Sequence, residues 1–166
     1  MLRATGLALC VLLAPLQAQD TLPINFVWNR AAIGQIRFLY AGMRTEAMGC
    51  AYGRQFKDTM VVSFFVPAVA DPRQATDSSV FGGFCFKIET IVGEHFVGIV
   101  HTHVRPQSSC FPSRADIRAL IGWMRETPAK FGAIMCAQGD TLVMYGPNFL
   151  LKLAIPPLDS LYRAFP

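Results

Sequence analysis

The change from strand-like to helix-like hydrophobic spacing between residues 95 and 127 constrains the fold more than any other feature of this sequence. The run "HFVGIVHTH", residues 95 to 103, is rich in β-branched and aromatic residues, which is typical of a strand. From Ser113 onward the apolar residues recur at helical spacing, and the pattern stops before Pro128. They are Ile117, Leu120, Ile121 and Met124. A strand followed by such a helix predicts a sheet with helices packed against it.

Other segments extend this pattern to an α/β or α+β domain. The sequence predicts a first helix from Asn29 to about Met43, two strands, "EAMGCAYGRQF" and "TMVVSFFVPAV", that meet at a turn at Lys57 and Asp58, and a loop in "ADPRQATDSS". "FGGFCFKIETIV" is strand-like, and "FGAIMCAQGDTLVMYGP" predicts a hairpin through Gln138, Gly139 and Asp140. The tail "NFLLKLAIPPLDSLYRAFP" is apolar and broken by two prolines. A chain of 166 residues has material for one domain.

The first residues are typical of a secretory signal peptide. Arg3 precedes an uncharged run from Ala4 to Leu16, and "LQAQD" then supplies small residues suited to cleavage. The run is interrupted by Pro15 and is shorter than the roughly 20 apolar residues of a membrane span. We therefore expect a signal peptide over residues 1–18, a single domain over 19–166, and an exported protein, periplasmic or secreted. Membrane attachment is expected only if the signal segment is retained.

Charge and cysteine content narrow the functional classes. The formal net charge of +4 comes without a lysine or arginine block, so the sequence predicts no nucleic-acid partner. Four cysteines remain after signal cleavage, namely Cys50, Cys85, Cys110 and Cys136. They allow three complete disulfide pairings, among which the sequence does not choose, and any one could instead be a buried free thiol. The absence of a CxxC pair disfavours zinc binding by cysteines.

His101 and His103 form the first part of a candidate metal site. Residues two apart in a strand point to the same face, about 6.6 Å apart at roughly 3.3 Å per residue, so both imidazoles could reach one ion. The alternative is that they are two polar positions on a strand. His95 has the same parity, but six residues span roughly 20 Å, so we interpret it as a strand-edge residue.

Asp116, at the start of the second predicted helix, could supply a third ligand. Two histidines and one carboxylate leave a fourth position for water, the arrangement of a catalytic zinc site. The alternative is that Ser113 and Asp116 form a capping box, which needs no metal. Capping does not explain the two histidines upstream.

A catalytic zinc site also needs a proton acceptor. Glu46 is one candidate, because the "GCAYG" segment that closely follows it contains two glycines that would let backbone pack beside a metal site. Glu89 and Glu94 compete for the role, and each of the three could instead be a solvated surface carboxylate.

Together, "EAMGCAYG", "HTH" and "PSRAD" resemble the JAMM (MPN-plus) metalloprotease motif, in which ExxGxxxG precedes HxH and SxxD. The resemblance covers roughly residues 30–145. It implies a curved mixed sheet flanked by helices, of the MPN/JAB type and deaminase-like, and one Zn²⁺ per chain held by His101, His103 and Asp116. Glu46 would then be general base and acid toward a zinc-bound water, and Ser113 would stabilise the oxyanion.

This chain departs from the family pattern between the second histidine and the aspartate. It has Val104 where proline is common, and the intervening loop of residues 104–115 is longer than is usual. We expect this loop to determine substrate fit.

The resemblance implies a zinc metallopeptidase that acts on a peptide or protein substrate, cleaving a peptide or isopeptide bond. The alternative is a non-catalytic binding or scaffold module of the same fold. A deaminase-like reaction is a third hypothesis, but the HxE and PCxxC pattern of zinc deaminases is missing.

Overall fold

One mixed seven-stranded sheet organises the part of the chain that this computed structural model describes, residues 25–41, 45–68, 85, 93–104, 110–136 and 139–155. In chain order the elements are β1 (Asn25–Trp28), α1 (Arg30–Ala41), β2 (Met48–Phe56), β3 (Thr59–Pro67), β4 (His95–Thr102), α2 (Arg114–Glu126), β5 (Phe131–Met135), β6 (Thr141–Tyr145) and β7 (Leu150–Ala154). The predicted α+β class, with a mixed sheet and helices against it, is confirmed.

The strand order β1-β3-β2-β4-β5-β6-β7 contains two parallel pairs, β1 with β3 and β4 with β5, and is otherwise antiparallel. Parallel neighbours need a crossover, and α2 is the crossover between β4 and β5. The carboxyl end of β4 and the start of α2 therefore lie at the same edge of the sheet, where ligands bind in many α/β proteins.

Alternating side chains of β5 show how the sheet is covered on both faces. Ala133 and Met135 belong to the apolar core that includes Ile36 of α1. Ile134, which points the other way, packs in a separate cluster with Leu120 of α2. Because both faces carry a helix, β5 is buried along its whole length. This burial explains why its sequence, FGAIM, contains no polar residue.

A β-bulge in β4 changes which residues share a face. Ala51 of β2 pairs with Gly98, whereas the next residue, Tyr52, pairs with Phe96, so Val97 is the extra residue. Phe96 and Ile99 consequently pack in one cluster although they are three residues apart. Across the bulge, residues two apart no longer point to the same face. His95 therefore does not share a face with His101 and His103, as the even spacing of the three had suggested.

The two disulfides settle the cysteine pairing that the sequence left open. Cys50 of β2 is bonded to Cys85, and Cys110, just before α2, is bonded to Cys136, just after β5. Each bridge joins segments that lie far apart in the chain.

Most predicted elements are found near their expected bounds. The first helix spans Arg30–Ala41, and Asn29 caps it by accepting a hydrogen bond from the N–H of Ala31 at 3.0 Å. The turn at Lys57 and Asp58 is present, with Lys57 in the left-handed region at a φ of 55°.

The strands β1 and β7 were not predicted from the sequence, and β7 lies in the apolar tail. Residues 1–18, the loop "ADPRQATDSS", Gln138 and, except for Cys85, the strand-like run 81–92 lie outside the described residues. Neither α1 nor α2, the helices of the described residues, has the length and apolar character that a membrane span requires.

Candidate metal centre

The two histidines of the HxH pair meet at the carboxyl end of β4. His101 is held within the sheet between Met48 of β2 and Ile134 of β5. His103 lies just beyond the strand, where its backbone N–H donates to the carbonyl of Met135 at 3.0 Å. The two Nε2 atoms are 3.2 Å apart, so the predicted convergence of the two imidazoles is present.

Asp116 reaches the same point from the first turn of α2. Its Oδ1 lies 3.4 Å from Nε2 of His101, and its Oδ2 lies 3.9 Å from Nε2 of His103. One ligand atom from each of the three residues can be chosen so that all lie within 4.8 Å of one another. The tertiary fold thus brings together two histidines and a carboxylate from separate elements.

The capping box that competed with the ligand hypothesis is also present. The Ser113 N–H donates to Asp116 Oδ2 at 2.6 Å, and the Asp116 N–H donates to Ser113 Oγ at 3.2 Å. Since Oδ2 accepts this bond, Oδ1 is the carboxylate oxygen left to face His101. The cap therefore orients the carboxylate toward the histidines, and the two interpretations of Asp116 are compatible.

The spacing of the donor atoms tests whether these residues suit a metal ion. Two nitrogen or oxygen ligands bound at about 2.0 to 2.1 Å to a tetrahedral ion lie about 3.3 to 3.4 Å apart. The distance between the two imidazole nitrogens is 3.2 Å, and the distance from His101 Nε2 to Asp116 Oδ1 is 3.4 Å. The distance from His103 Nε2 to Asp116 Oδ2 is longer, at 3.9 Å, so His101 has tetrahedral spacing to both other residues and the group could hold a metal ion.

Burial sets the protonation state of His101 in favour of metal binding. Desolvation lowers the pKa of His101 to about 4; the carboxylate of Asp116 opposes this shift, and His103 adds to it. The imidazole is therefore neutral near pH 7, and a neutral ring nitrogen is the form that binds a metal.

Tyr145 of β6 is a neighbour of the site that the sequence gave no reason to select. Its ring meets the His101 imidazole edge to face, with ring centroids 6.5 Å apart and planes at 87°. Burial and, second, the Asp116 carboxylate raise the pKa of Tyr145, so its hydroxyl keeps its proton. Its ring restricts the orientation of the first histidine.

Glu46 is buried, and hydrogen bonds hold the residue that follows it against the segment between the two histidines. The N–H of Ala47, the next residue, donates to Thr102 Oγ1 at 2.9 Å, and the N–H of Thr102 donates to the carbonyl of Ala47 at 2.9 Å. Thr102 lies between the two histidines. Among the described residues, the buried polar or charged ones are Glu46, His101 and Thr102, all at this end of the sheet.

Of the two acids that competed with Glu46 for the role of proton acceptor, the structure excludes Glu94. Glu94 precedes the amino end of β4 and forms an ion pair with Arg54, Nε to Oε2 3.4 Å. Seven residues of strand, roughly 23 Å, separate it from His101, too far for proton transfer at the metal site. His95 begins β4 at that same far end and is exposed, as expected of a strand-edge residue. Glu89 lies outside the described residues.

No protein-family model and no curated protein matches the sequence. The chain is similar to the crystal structure of a JAB1/MPN domain protein from Archaeoglobus fulgidus, with a TM-score of 0.46 and 19% identity over 78% of this chain and 98% of that one. We base the function on the residues of the site and their geometry.

Proposed function

We propose that this chain is a zinc-dependent metallopeptidase that hydrolyses a peptide or isopeptide bond. The observation that carries the proposal is the meeting of His101, His103 and Asp116 at the sheet end where Glu46 is buried, with His101 at tetrahedral spacing from the other two. Burying ionisable and polar groups together costs stability, so such a cluster is typical of a functional site. The order of these residues in the chain also matches the JAMM motif.

His101, His103 and Asp116 would hold the ion. Zinc in such a site supplies a Lewis acid that lowers the pKa of water toward 7 and polarises a carbonyl group. An imidazole binds zinc in its neutral form, so the single carboxylate would be the ligand that partly offsets the charge of the cation. The capping hydrogen bond from Ser113 N–H holds the carboxylate while its other oxygen faces the site.

Glu46 would act as general base and then as general acid. Its carboxylate would take a proton from the attacking water and return it to the nitrogen of the leaving amine as the C–N bond breaks. Two observations support this role: Glu46 is buried, and the residue after it, Ala47, is hydrogen-bonded to Thr102, which lies between the two histidines.

Ser113 would stabilise the oxyanion that develops on the scissile carbonyl. A hydroxyl has one donor and two acceptor sites. The helix cap uses Ser113 Oγ as an acceptor from the Asp116 N–H, so the O–H remains able to donate to the substrate. One serine can therefore cap α2 and act on the substrate at the same time.

The N-terminal segment supports a further part of the proposal, namely where the enzyme meets its substrate. If residues 1–18 direct export, the enzyme meets peptides and proteins of the periplasm or the medium. Incubation of the mature chain with an extract of exported proteins, followed by mass spectrometry of new N-termini, would identify the bond cleaved.

The central test compares Glu46→Gln with the wild type. We expect about one zinc per wild-type chain, and we expect the variant to keep the metal while its kcat for peptide cleavage falls by about 10² or more. Glu94→Gln is the matched control, because Glu94 lies at the opposite end of β4, and it should retain both zinc and cleavage.

Two outcomes would count against the proposal. A wild-type chain that binds no zinc would refute it. Zinc binding without any cleavage, together with no effect of Glu46→Gln, would favour a binding or scaffold module of the same fold.

A further inference from the structure

The Cys110–Cys136 disulfide joins the two parts of the chain that carry the metal ligands. Cys136 directly follows Met135, whose carbonyl accepts the hydrogen bond from the N–H of His103. Cys110 lies three residues before Ser113, the residue that caps α2 and orients the carboxylate of Asp116. The bridge thus connects the histidine side of the site to the carboxylate side.

Packing alone attaches only the part of α2 that follows Asp116 to the sheet. Three apolar side chains of α2, Ile117, Leu120 and Met124, pack on the sheet cluster that contains Ile134 and Tyr145. All three follow Asp116 in the chain, so they fix the body of the helix and not the segment before it. The disulfide fixes that preceding segment, and the ligand lies between the two attachments.

The sheet end of the bridge is itself held firmly. The N–H of Cys136 donates to the carbonyl of Thr141 at 2.9 Å, which ties it to β6, and the residue is buried. The α2 end is therefore anchored to a fixed part of the sheet.

We infer that the Cys110–Cys136 disulfide is a positioning element of the metal centre, which sets the distance of Asp116 from the two histidines. The inference rests on the proposed zinc site. Metal–ligand distances tolerate only about 0.2 Å, and loss of groups that orient ligands weakens metal binding by about 10- to 100-fold. A loosened first turn of α2 therefore lowers zinc affinity even when the fold is intact.

The second disulfide provides a matched control. Cys50 and Cys85 are 35 residues apart and Cys110 and Cys136 are 26 apart, so the two bridges constrain the unfolded chain to a similar degree. Cys50 pairs with Ile99 in the interior of β4 and does not connect the two ligand-bearing elements. Loss of either bridge should lower thermal stability, whereas only loss of the Cys110–Cys136 bridge should lower zinc affinity.

The test measures zinc affinity by competition with a chromogenic chelator. We expect the Cys110→Ala/Cys136→Ala variant to bind zinc about 10- to 100-fold more weakly than the wild type, and the Cys50→Ala/Cys85→Ala variant to stay within about twofold. Alanine is used because a free thiolate could itself bind zinc. Circular dichroism verifies folding; if a double alanine variant does not fold, valine replaces alanine at both positions of that pair, because it fills more of the buried space and carries no thiolate.

A double-mutant cycle tests whether the bridge acts through the carboxylate. In an Asp116→Ala background, removal of Cys110–Cys136 should cause no further loss of zinc affinity. The inference is overturned if the bridge variant binds zinc as tightly as the wild type, if both disulfide variants weaken binding equally, or if the loss persists without Asp116.

The outcomes separate this inference from the proposed function. A wild-type chain that binds no zinc would refute both the proposed function and the role of the disulfide. A wild type that binds zinc, with no effect of the bridge, removes only the inference. The expected affinity pattern without any peptide cleavage removes only the peptidase assignment.

Discussion

Acid should destabilise the metal-free protein in a specific pH window because His101 is buried. Its pKa is about 4 in the folded chain, against about 6.5 in an unfolded chain. As the pH falls through 6.5, the unfolded chain binds a proton at this residue and the folded chain does not. The contribution of His101 to the free energy of unfolding is therefore fully present above about pH 6.5. It decreases as the pH falls and is lost below about pH 4.

The size of the effect follows from the same two values. A difference of about 2.5 pKa units, at about 1.4 kcal/mol each, corresponds to about 3 kcal/mol of unfolding free energy. For a domain of this length that is a decrease in Tm of roughly 6 to 12 °C. Urea denaturation and thermal melts, recorded in the presence of a chelator at steps between pH 7 and pH 4, would measure it.

Carboxylates also titrate near the lower end of this window, so the comparison needs His101→Asn, which cannot titrate at this position. The variant should lose less stability than the wild type between pH 6.5 and pH 4, by about 3 kcal/mol. Parallel pH profiles for the two proteins would show that burial does not hold this imidazole neutral, and the reasoning would be wrong.

Substitutions at four further positions test the helix cap, the sheet and α2. Ser113→Ala should lower the unfolding free energy by about 1 kcal/mol and kcat by about 10²- to 10³-fold, whereas Ser113→Thr should keep most of the cap; urea denaturation and steady-state kinetics would separate the two effects. Thr102→Val preserves volume but removes the acceptor of a buried backbone N–H, so it should cost about 1 to 3 kcal/mol, and an unchanged denaturation midpoint would contradict this. Gly132→Ala would place a methyl group against the Tyr145 ring, with Cε1 2.8 Å away, and should destabilise the fold by about 1 to 3 kcal/mol. Gly122→Ala, which meets nothing within 4 Å on α2, should instead stabilise it by about 1 kcal/mol in the same thermal melts.

Local features of the site could be predicted because they depend on residues close together in the chain. The same-face arrangement of His101 and His103 follows from the two-residue period of a strand. The capping box follows from a serine and an aspartate three residues apart at the start of a helical pattern. Neither of these required knowledge of how the elements pack.

The missed strands show the limit of local reasoning. Strand β1 has four residues, and the residues of β7, LLKLA, do not alternate between apolar and polar types, so neither carries a strong pattern of its own. Both exist because they pair with β3 and β6, and this pairing depends on the edges that the sheet leaves open. The bulge at Val97 likewise depends on the match between β4 and β2.

The sequence by itself determined the strand, the capped helix and the candidate ligands, since spacing and residue type are local properties. Only the tertiary structure decided that Ala47, the residue after Glu46, bonds to Thr102, 55 residues later, that the Tyr145 and His101 rings meet, and that Cys110 is bonded to Cys136. These contacts depend on the order of strands in the sheet and on the crossover made by α2, because groups far apart in the chain become neighbours only when the sheet is assembled.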